Sequence, residues 1–173
     1  MEEKLIVCLY GEEGRGKTHT LKILADNLLK NDPSKADNWI HPNPATREKF
    51  SKLASISEWL NDICVEMTVK GKRIGLNSDG DSPKAMRERL KIMAENCDII
   101  FCACRAVAHD NLGTLAAIKD TVKELAKESK KYHVVYTAPY TNDDPPGRNS
   151  TPLQKKLNQK KAKHLEDFLS WNN

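Results

Sequence analysis

The order of apolar segments predicts an α/β protein with three layers, in which a mostly parallel sheet carries helices on both faces. Short continuous apolar runs, as in 5–9 and 99–104, are typical of strands that are buried on both faces. Longer segments lie between and after these runs, and their apolar residues recur at the spacing of one helix face. This alternation predicts parallel strands joined by crossover helices.

The first part of the chain is predicted to contain one strand, two helices and an insertion. A buried strand over residues 4–10 is followed by a helix from about residue 17 to residue 31. Residues 32–46 are polar and interrupted by prolines, which predicts a loop. A second helix is predicted from Ala45 or Thr46 to Cys64, because apolar residues including Ile56 and Leu60 recur there at helical spacing. We interpret residues 32–64 as a lid or a substrate-facing insertion.

Alternating apolar residues then predict an antiparallel hairpin. Val65–Val69 forms its first strand, Lys70 and Gly71 allow the reversal, and alternation continues from Ile74 to Asn77. Such a hairpin would add an antiparallel strand at one edge of the sheet.

The remainder of the chain returns to alternating helices and strands. Ser82 and Pro83 predict the start of a helix, with Ser82 as its cap. Strands are predicted over 98–104 and 132–137, with a helix over 112–129 between them and a C-terminal helix within 150–173. Apolar residues of the helix after Pro83 are predicted to face the core: Met86, Leu90, Ile92, Met93 and Ala94.

The composition is that of a globular protein, and we treat the 173 residues as one domain. Lys and Arg number 28 and Asp and Glu 24, so the net charge of +4 is too small to indicate a nucleic-acid partner. No apolar run approaches the roughly 20 residues that span a membrane, and the first residues lack the pattern of a signal peptide. We therefore expect a cytoplasmic protein with no membrane partner.

The five cysteines predict reduced thiols in the core, because they have mostly apolar neighbours and no C-x-x-C pair occurs. We expect Cys102 and Cys104 to point to opposite sides of their strand, which argues against a shared zinc ion.

The most specific motif is Gly-Glu-Glu-Gly-Arg-Gly-Lys-Thr at residues 11–18, which fits G-x-x-x-x-G-K-[ST] at every fixed position. It lies between a predicted strand and a predicted helix, where backbone N–H groups and the helix N-terminus can converge on phosphate. Lys17 would reach the β- and γ-phosphates, and the Thr18 hydroxyl would bind Mg²⁺. The alternative is a glycine-rich turn with an exposed lysine. The residues predicted to contact a nucleotide are Gly11, Gly14, Arg15, Gly16, Lys17, Thr18 and His19.

On this motif and this order of elements, the chain resembles the P-loop nucleoside-triphosphatase superfamily. The resemblance implies the P-loop fold, a Mg²⁺-nucleotide at the carboxyl edge of the sheet, and either hydrolysis or phosphoryl transfer. The hairpin also resembles that of the small regulatory GTPases. However, Ser82 stands where their second motif has glycine, and no Asn-Lys-x-Asp sequence occurs. ATP is therefore favoured over GTP.

A protein of this kind needs a carboxylate near its Mg²⁺ ion. Asp79, which follows the second strand of the hairpin, is the first candidate, and Asp81 is its competitor. A surface turn that uses Asp and Gly for its backbone angles is the alternative for both. Arg105 follows the strand 98–104 at the predicted carboxyl edge, where an arginine can stabilise phosphoryl charge or stack on a base. Its alternative is a solvated loop arginine.

Three functions remain open from the sequence. Hydrolysis of Mg²⁺-ATP is favoured, a small-molecule or nucleotide kinase is the first alternative, and a non-catalytic nucleotide-sensing module is the second. Lysines of the C-terminal helix leave a nucleic-acid partner open, although a solvated helix face explains them equally well. No protein partner is indicated. These lysines are Lys155, Lys156, Lys160, Lys161 and Lys163.

Overall fold

A computed structural model of the chain describes residues 3–12, 15–40, 55–105, 113–128, 131–139 and 152–171. The strands in these ranges are β1 (Glu3–Tyr10), β2 (Asn38–Trp39), β3 (Cys64–Val69), β4 (Lys72–Asn77), β5 (Ile99–Cys104) and β6 (Lys131–Thr137). The α-helices are α1 (Lys17–Leu29), α2 (Pro83–Asn96), α3 (Thr114–Leu125) and α4 (Pro152–Glu166). Short 3₁₀ turns lie at Pro33–Lys35, Ile56–Glu58, Ala126–Glu128 and Asp167–Ser170.

The strands form one sheet in the order β2-β3-β4-β5-β1-β6. Strands β4, β5, β1 and β6 are parallel to one another, whereas β3 runs antiparallel to both β4 and β2. The predicted mostly parallel sheet with an antiparallel edge is therefore confirmed. Because β1 lies between β5 and β6, the loop that follows it opens at the carboxyl edge between these two strands.

The two faces of the sheet carry different helices. Alternate residues of β1 point to opposite faces, so Leu5, Val7 and Leu9 join one buried cluster while Ile6 and Cys8 join the other. The first cluster includes residues of α1 and α4, and the second includes residues of α2 and α3. The predicted three layers are confirmed.

The hairpin and the cap of α2 follow the predicted local signals. Lys70 and Gly71 both have positive φ values, 52° and 80°, as a two-residue hairpin turn requires. Ser82 Oγ accepts a hydrogen bond from Ala85 N at 3.2 Å, and Pro83 occupies the first turn. The inward direction predicted for Ile92 is wrong, because its side chain is 41% exposed. Successive helix residues are roughly 100° apart, so Met93 is buried as predicted while its neighbour Ile92 is not.

The predicted helix ending at Cys64 is wrong over the part of it that the structure describes. Residues 55–63 contain one 3₁₀ turn, and Cys64 already opens β3. The predicted spacing placed Ile56 correctly in the core, but Leu60 is 96% exposed. Residues 41–54, which include the predicted start of this helix, lie outside the described ranges.

Three polar residues of α1 hold this segment in place. Asp26 accepts hydrogen bonds from Ile56 N and Ser57 N at 2.6 and 2.9 Å and from the Ser55 hydroxyl at 2.7 Å. One turn earlier, Lys22 Nζ donates to Trp59 O at 2.5 Å, and one turn earlier again Thr18 contacts Asp62. Residues four apart share a helix face, so one polar stripe of α1 holds 55–62. The stripe consists of Thr18, Lys22 and Asp26.

The five cysteines are buried and unbridged, as predicted. The expectation that Cys102 and Cys104 point to opposite sides is wrong, because residues two apart in a strand share a face. Both join the cluster on the α2 and α3 side, where the sulfur atoms of Cys102 and Cys8 lie 3.7 Å apart. Burial raises the pKa of Cys64 to about 12 and raises that of Cys97 further, which keeps these thiols protonated.

One of the five lysines of α4 is buried and the other four are exposed. Lys161 is buried and donates a hydrogen bond from Nζ to Thr137 Oγ1 at 2.5 Å, and burial lowers its pKa. Lys155, Lys156, Lys160 and Lys163 are exposed. Among the described helices, none is long and apolar enough to cross a membrane.

Candidate nucleotide-binding site

The loop between β1 and α1, called here the glycine loop (residues 11–16), lies at the carboxyl edge of the sheet. Gly11 N donates a hydrogen bond to Cys104 O at 3.3 Å, which joins the start of the loop to the end of β5. Gly16 caps α1 with φ 80° and ψ 11°, a left-handed conformation that glycine adopts without a steric penalty. Residues 13 and 14, and with them the predicted contact Gly14, lie outside the described ranges.

Lys17 folds back over the start of the glycine loop. Its side chain is only 8% exposed, and its Nζ donates hydrogen bonds to Gly11 O at 2.8 Å and Glu12 O at 2.6 Å. Both of these acceptors are uncharged carbonyl oxygens. The geometry therefore holds an ammonium group over a loop whose next element is a helix N-terminus, an arrangement that suits an anion.

Asp62 is the carboxylate that lies beside Thr18. Thr18 Oγ1 donates to Asp62 Oδ1 at 3.1 Å and approaches Ser78 O at 3.4 Å. The Ser78 hydroxyl also donates to Asp62 Oδ1, at 2.8 Å, and accepts from Ile63 N. Three oxygen-bearing residues from different parts of the chain thus meet at the first turn of α1.

Sequence reasoning missed Asp62 because it placed this residue inside a helix. Asp62 instead stands two residues before β3, whose first residue pairs with the last residue of β4. In an antiparallel hairpin the start of the first strand lies beside the end of the second. A signal was therefore available: an aspartate just before a predicted hairpin belongs at the carboxyl edge of its second strand.

Both aspartates predicted to hold the metal are engaged by arginines. Asp79 Oδ2 lies 2.6 Å from Arg89 Nη1, and each of these side chains is 19% exposed. Asp81 Oδ1 lies 2.7 Å from Arg105 Nε. Neither aspartate hydrogen-bonds to Thr18 in the part of the chain that the structure describes. Of these three aspartates, Asp62 is the one that accepts a hydrogen bond from Thr18 in the described part of the chain.

Arg105 lies where the sequence predicted, directly after β5 at the carboxyl edge. Its backbone N donates to Thr114 Oγ1 at 2.8 Å, and the Thr114 hydroxyl donates to Gly80 O at the same distance. These bonds join the end of β5, the start of α3 and the loop after β4. Contact between Arg105 and a nucleotide stays a prediction.

Charged groups of both signs lie around the first two turns of α1. Burial lowers the pKa of His19, and the charges of Lys22 and Lys155 lower it further. Burial also lowers the pKa of Lys22, whereas the Asp62 carboxylate opposes that shift. Arg15 is 3.4 Å from Glu12 across the glycine loop, in an exposed pair that contributes little to stability. Lysine and arginine charges at the start of α1 therefore stand beside two carboxylates, those of Asp62 and Glu12.

The oxygen atoms at Thr18, Asp62 and Ser78 fit Mg²⁺, which is commonly bound by one or two carboxylates together with substrate phosphates. Within the described ranges, no group of three or more His, Cys, Asp or Glu residues can hold a metal ion. A cation at Thr18 and Asp62 would therefore depend on oxygens supplied by a bound ligand.

The described part of the chain brings Gly11, Gly16, Lys17 and Thr18 together at one edge, as the motif predicted. Arg15 and His19 lie on either side of Lys17 and Thr18 in the chain. Comparison with protein families, with curated protein sequences and with solved structures found no match for this chain.

Proposed function

We propose that this chain is a P-loop nucleotide-binding protein that binds Mg²⁺-ATP at the glycine loop and hydrolyses it. The observation that carries the proposal is the position of Lys17, whose buried ammonium group is held by the carbonyl oxygens of Gly11 and Glu12. In the complex, the Lys17 ammonium group would donate hydrogen bonds to triphosphate oxygens, and the N–H groups at the start of α1 would supply further donors.

Thr18 and Asp62 support a metal next to those phosphates. The Thr18 hydroxyl would bind Mg²⁺ directly, and the Asp62 carboxylate would hold the ion or its water. Bound Mg²⁺ would supply charge neutralisation at the phosphates. Asp62 replaces Asp79 and Asp81 in this role because it already accepts the Thr18 hydrogen bond at 3.1 Å.

Hydrolysis rather than transfer, and ATP rather than GTP, follow the expectations from sequence. Arg105 and Arg89 lie at the same edge but are paired with Asp81 and Asp79, so either arginine would have to leave its carboxylate to meet a phosphate. Hydrolysis needs only water as the acceptor of the phosphoryl group.

Phosphate release from Mg²⁺-ATP and Mg²⁺-GTP tests the proposal. We expect release from ATP, and we expect Lys17→Ala to lower it by about a hundredfold, since the variant removes a donor aimed at developing negative charge. Lys84→Ala, at an exposed position of α2, is the matched control and should retain full release. Equal release from wild type and Lys17→Ala would contradict the proposal. Binding without release would favour the sensing module, and release only with an added acceptor would favour the kinase.

A further inference from the structure

An amide side chain of α4 is buried against the glycine loop. Asn158 is 1% exposed, and its Oδ1 accepts a hydrogen bond from Gln154 Nε2 at 2.8 Å. A Cβ atom added at Gly16 would lie 2.5 Å from Asn158 Oδ1 and 3.2 Å from its Nδ2. The amide group of Asn158 therefore stands directly beside the residue that caps α1.

The amide nitrogen of Asn158 is buried and has no hydrogen-bond partner among the described residues. A buried donor without an acceptor is costly, so most such groups in proteins are satisfied by protein, water or a ligand. Asn158 can donate two hydrogen bonds from this nitrogen. An acceptor supplied by a ligand at the glycine loop would remove the cost.

The surroundings of Asn158 favour an anionic acceptor. Lys155, one turn before Asn158 on α4, is exposed and places a positive charge near the first turn of α1. Gln154 Nε2 donates to Asn158 Oδ1, so the acceptor of the Asn158 amide is engaged, and its N–H₂ group is the part that has no partner among the described residues. The N-terminus of α1 completes this group of donors and positive charges.

We propose that Asn158 contacts phosphate: its Nδ2 donates a hydrogen bond to an oxygen of the triphosphate bound at the glycine loop. The inference rests on the proposed function, which it extends by adding α4 as a second side of the phosphate site. Asn158 thereby links the C-terminal helix to ligand binding. This contact also accounts for an amide, rather than an apolar side chain, at a fully buried position of α4.

Two substitutions at Asn158 test the contact. Asn158→Asp keeps the size of the side chain and the acceptor for Gln154, but it replaces the donor with negative charge. Asn158→Ala removes the donor without adding charge. Gln159→Glu adds the same negative charge at the neighbouring, exposed position of α4 and serves as the control. Calorimetric titration with Mg²⁺-ATP and with Mg²⁺-tripolyphosphate measures affinity, and thermal melting measures folding.

We expect Asn158→Asp and Asn158→Ala to weaken both ligands by about tenfold or more, as is typical when a hydrogen bond to a charged group is lost. Gln159→Glu should bind both ligands as wild type does. Unchanged affinity in both Asn158 variants would overturn the inference alone. Weakening of ATP but not of tripolyphosphate would also overturn it, since the amide would then contact the nucleoside.

The same titrations separate this inference from the proposed function. A wild-type chain that binds neither ligand would overturn both, whereas a wild-type chain that binds ATP and is unaffected by either substitution would overturn only the role of Asn158. If Asn158→Asp does not fold, Asn158→Ala decides the outcome, because it introduces no buried charge.

Discussion

Removal of the Asp26 carboxylate should destabilise the protein strongly, because this carboxylate accepts three hydrogen bonds and Asp26 is only 5% exposed. The donors are Ile56 N, Ser57 N and the Ser55 hydroxyl, at 2.6, 2.9 and 2.7 Å. In Asp26→Ala these groups lose their acceptor, and the backbone N–H of the buried Ile56 has no access to water.

The size of the effect follows from the number of bonds. A hydrogen bond to a charged group contributes about 1.5 to 3 kcal/mol, and local relaxation lets water reach the half-buried Ser55 and Ser57. We therefore expect the free energy of unfolding to fall by about 3 to 5 kcal/mol in Asp26→Ala. Ser55→Ala removes a single donor and should cost about 1 kcal/mol.

Urea denaturation followed by circular dichroism measures the free energy of unfolding of the wild type and the variant. We expect its slope against urea concentration to be the same in both. Asp120→Ala is the matched control, because that carboxylate is 53% exposed and pairs with the exposed Arg87. Its expected cost is under about 1 kcal/mol. A loss below about 1 kcal/mol in Asp26→Ala would refute the idea that the stripe on α1 holds residues 55–62.

Three further outcomes are expected. Asp62→Asn should raise the Mg²⁺ concentration needed for ATP hydrolysis by about tenfold, whereas Asp79→Asn should leave it unchanged. If a Mg²⁺ titration showed the increase in Asp79→Asn and not in Asp62→Asn, Asp79 would be the metal carboxylate. Gly16→Ala should lower the melting temperature and abolish nucleotide binding, because its φ of 80° is strained for alanine and its Cβ would collide with Asn158; wild-type melting and binding would contradict this. The pKa of His19 is lowered in the folded protein, so the unfolded chain binds the proton more tightly, and stability should fall as the pH drops below the unfolded value of about 6.5. His19→Gln should flatten that acid limb in urea titrations at several pH values, and an unchanged slope would exclude His19 as its source.

The sequence predicted those parts of the fold that depend on neighbouring residues. The turn at Lys70 and Gly71, the Ser82 cap and the buried strand of β5 all carry short-range signals, and each prediction is confirmed. The glycine loop belongs to the same class, because its position between β1 and α1 follows from adjacent segments.

Features that depend on distant partners could not be predicted in the same way. The backbone N–H groups of residues 56 and 57 bind the carboxylate of Asp26, and this acceptor replaces the helical carbonyls that the apolar spacing suggested. Likewise, Asp79 and Asp81 looked available for a metal because their partners Arg89 and Arg105 stand on later elements of the chain, and no local pattern indicates the pairing. Tertiary contacts override local propensity in both cases.

The polar stripe on α1 constrains length as well as chemistry. The contacts pair Thr18 with Asp62, Lys22 with Trp59 and Asp26 with Ile56. The helix and the segment therefore run in opposite directions. Each step of four residues along α1 advances by about 6 Å. An insertion or deletion between Ile56 and Asp62 would shift part of the segment along α1. The Asp62 carboxylate would then be separated from Thr18, even if every side chain were retained. Substitutions in this segment are consequently easier to accommodate than a change in its number of residues.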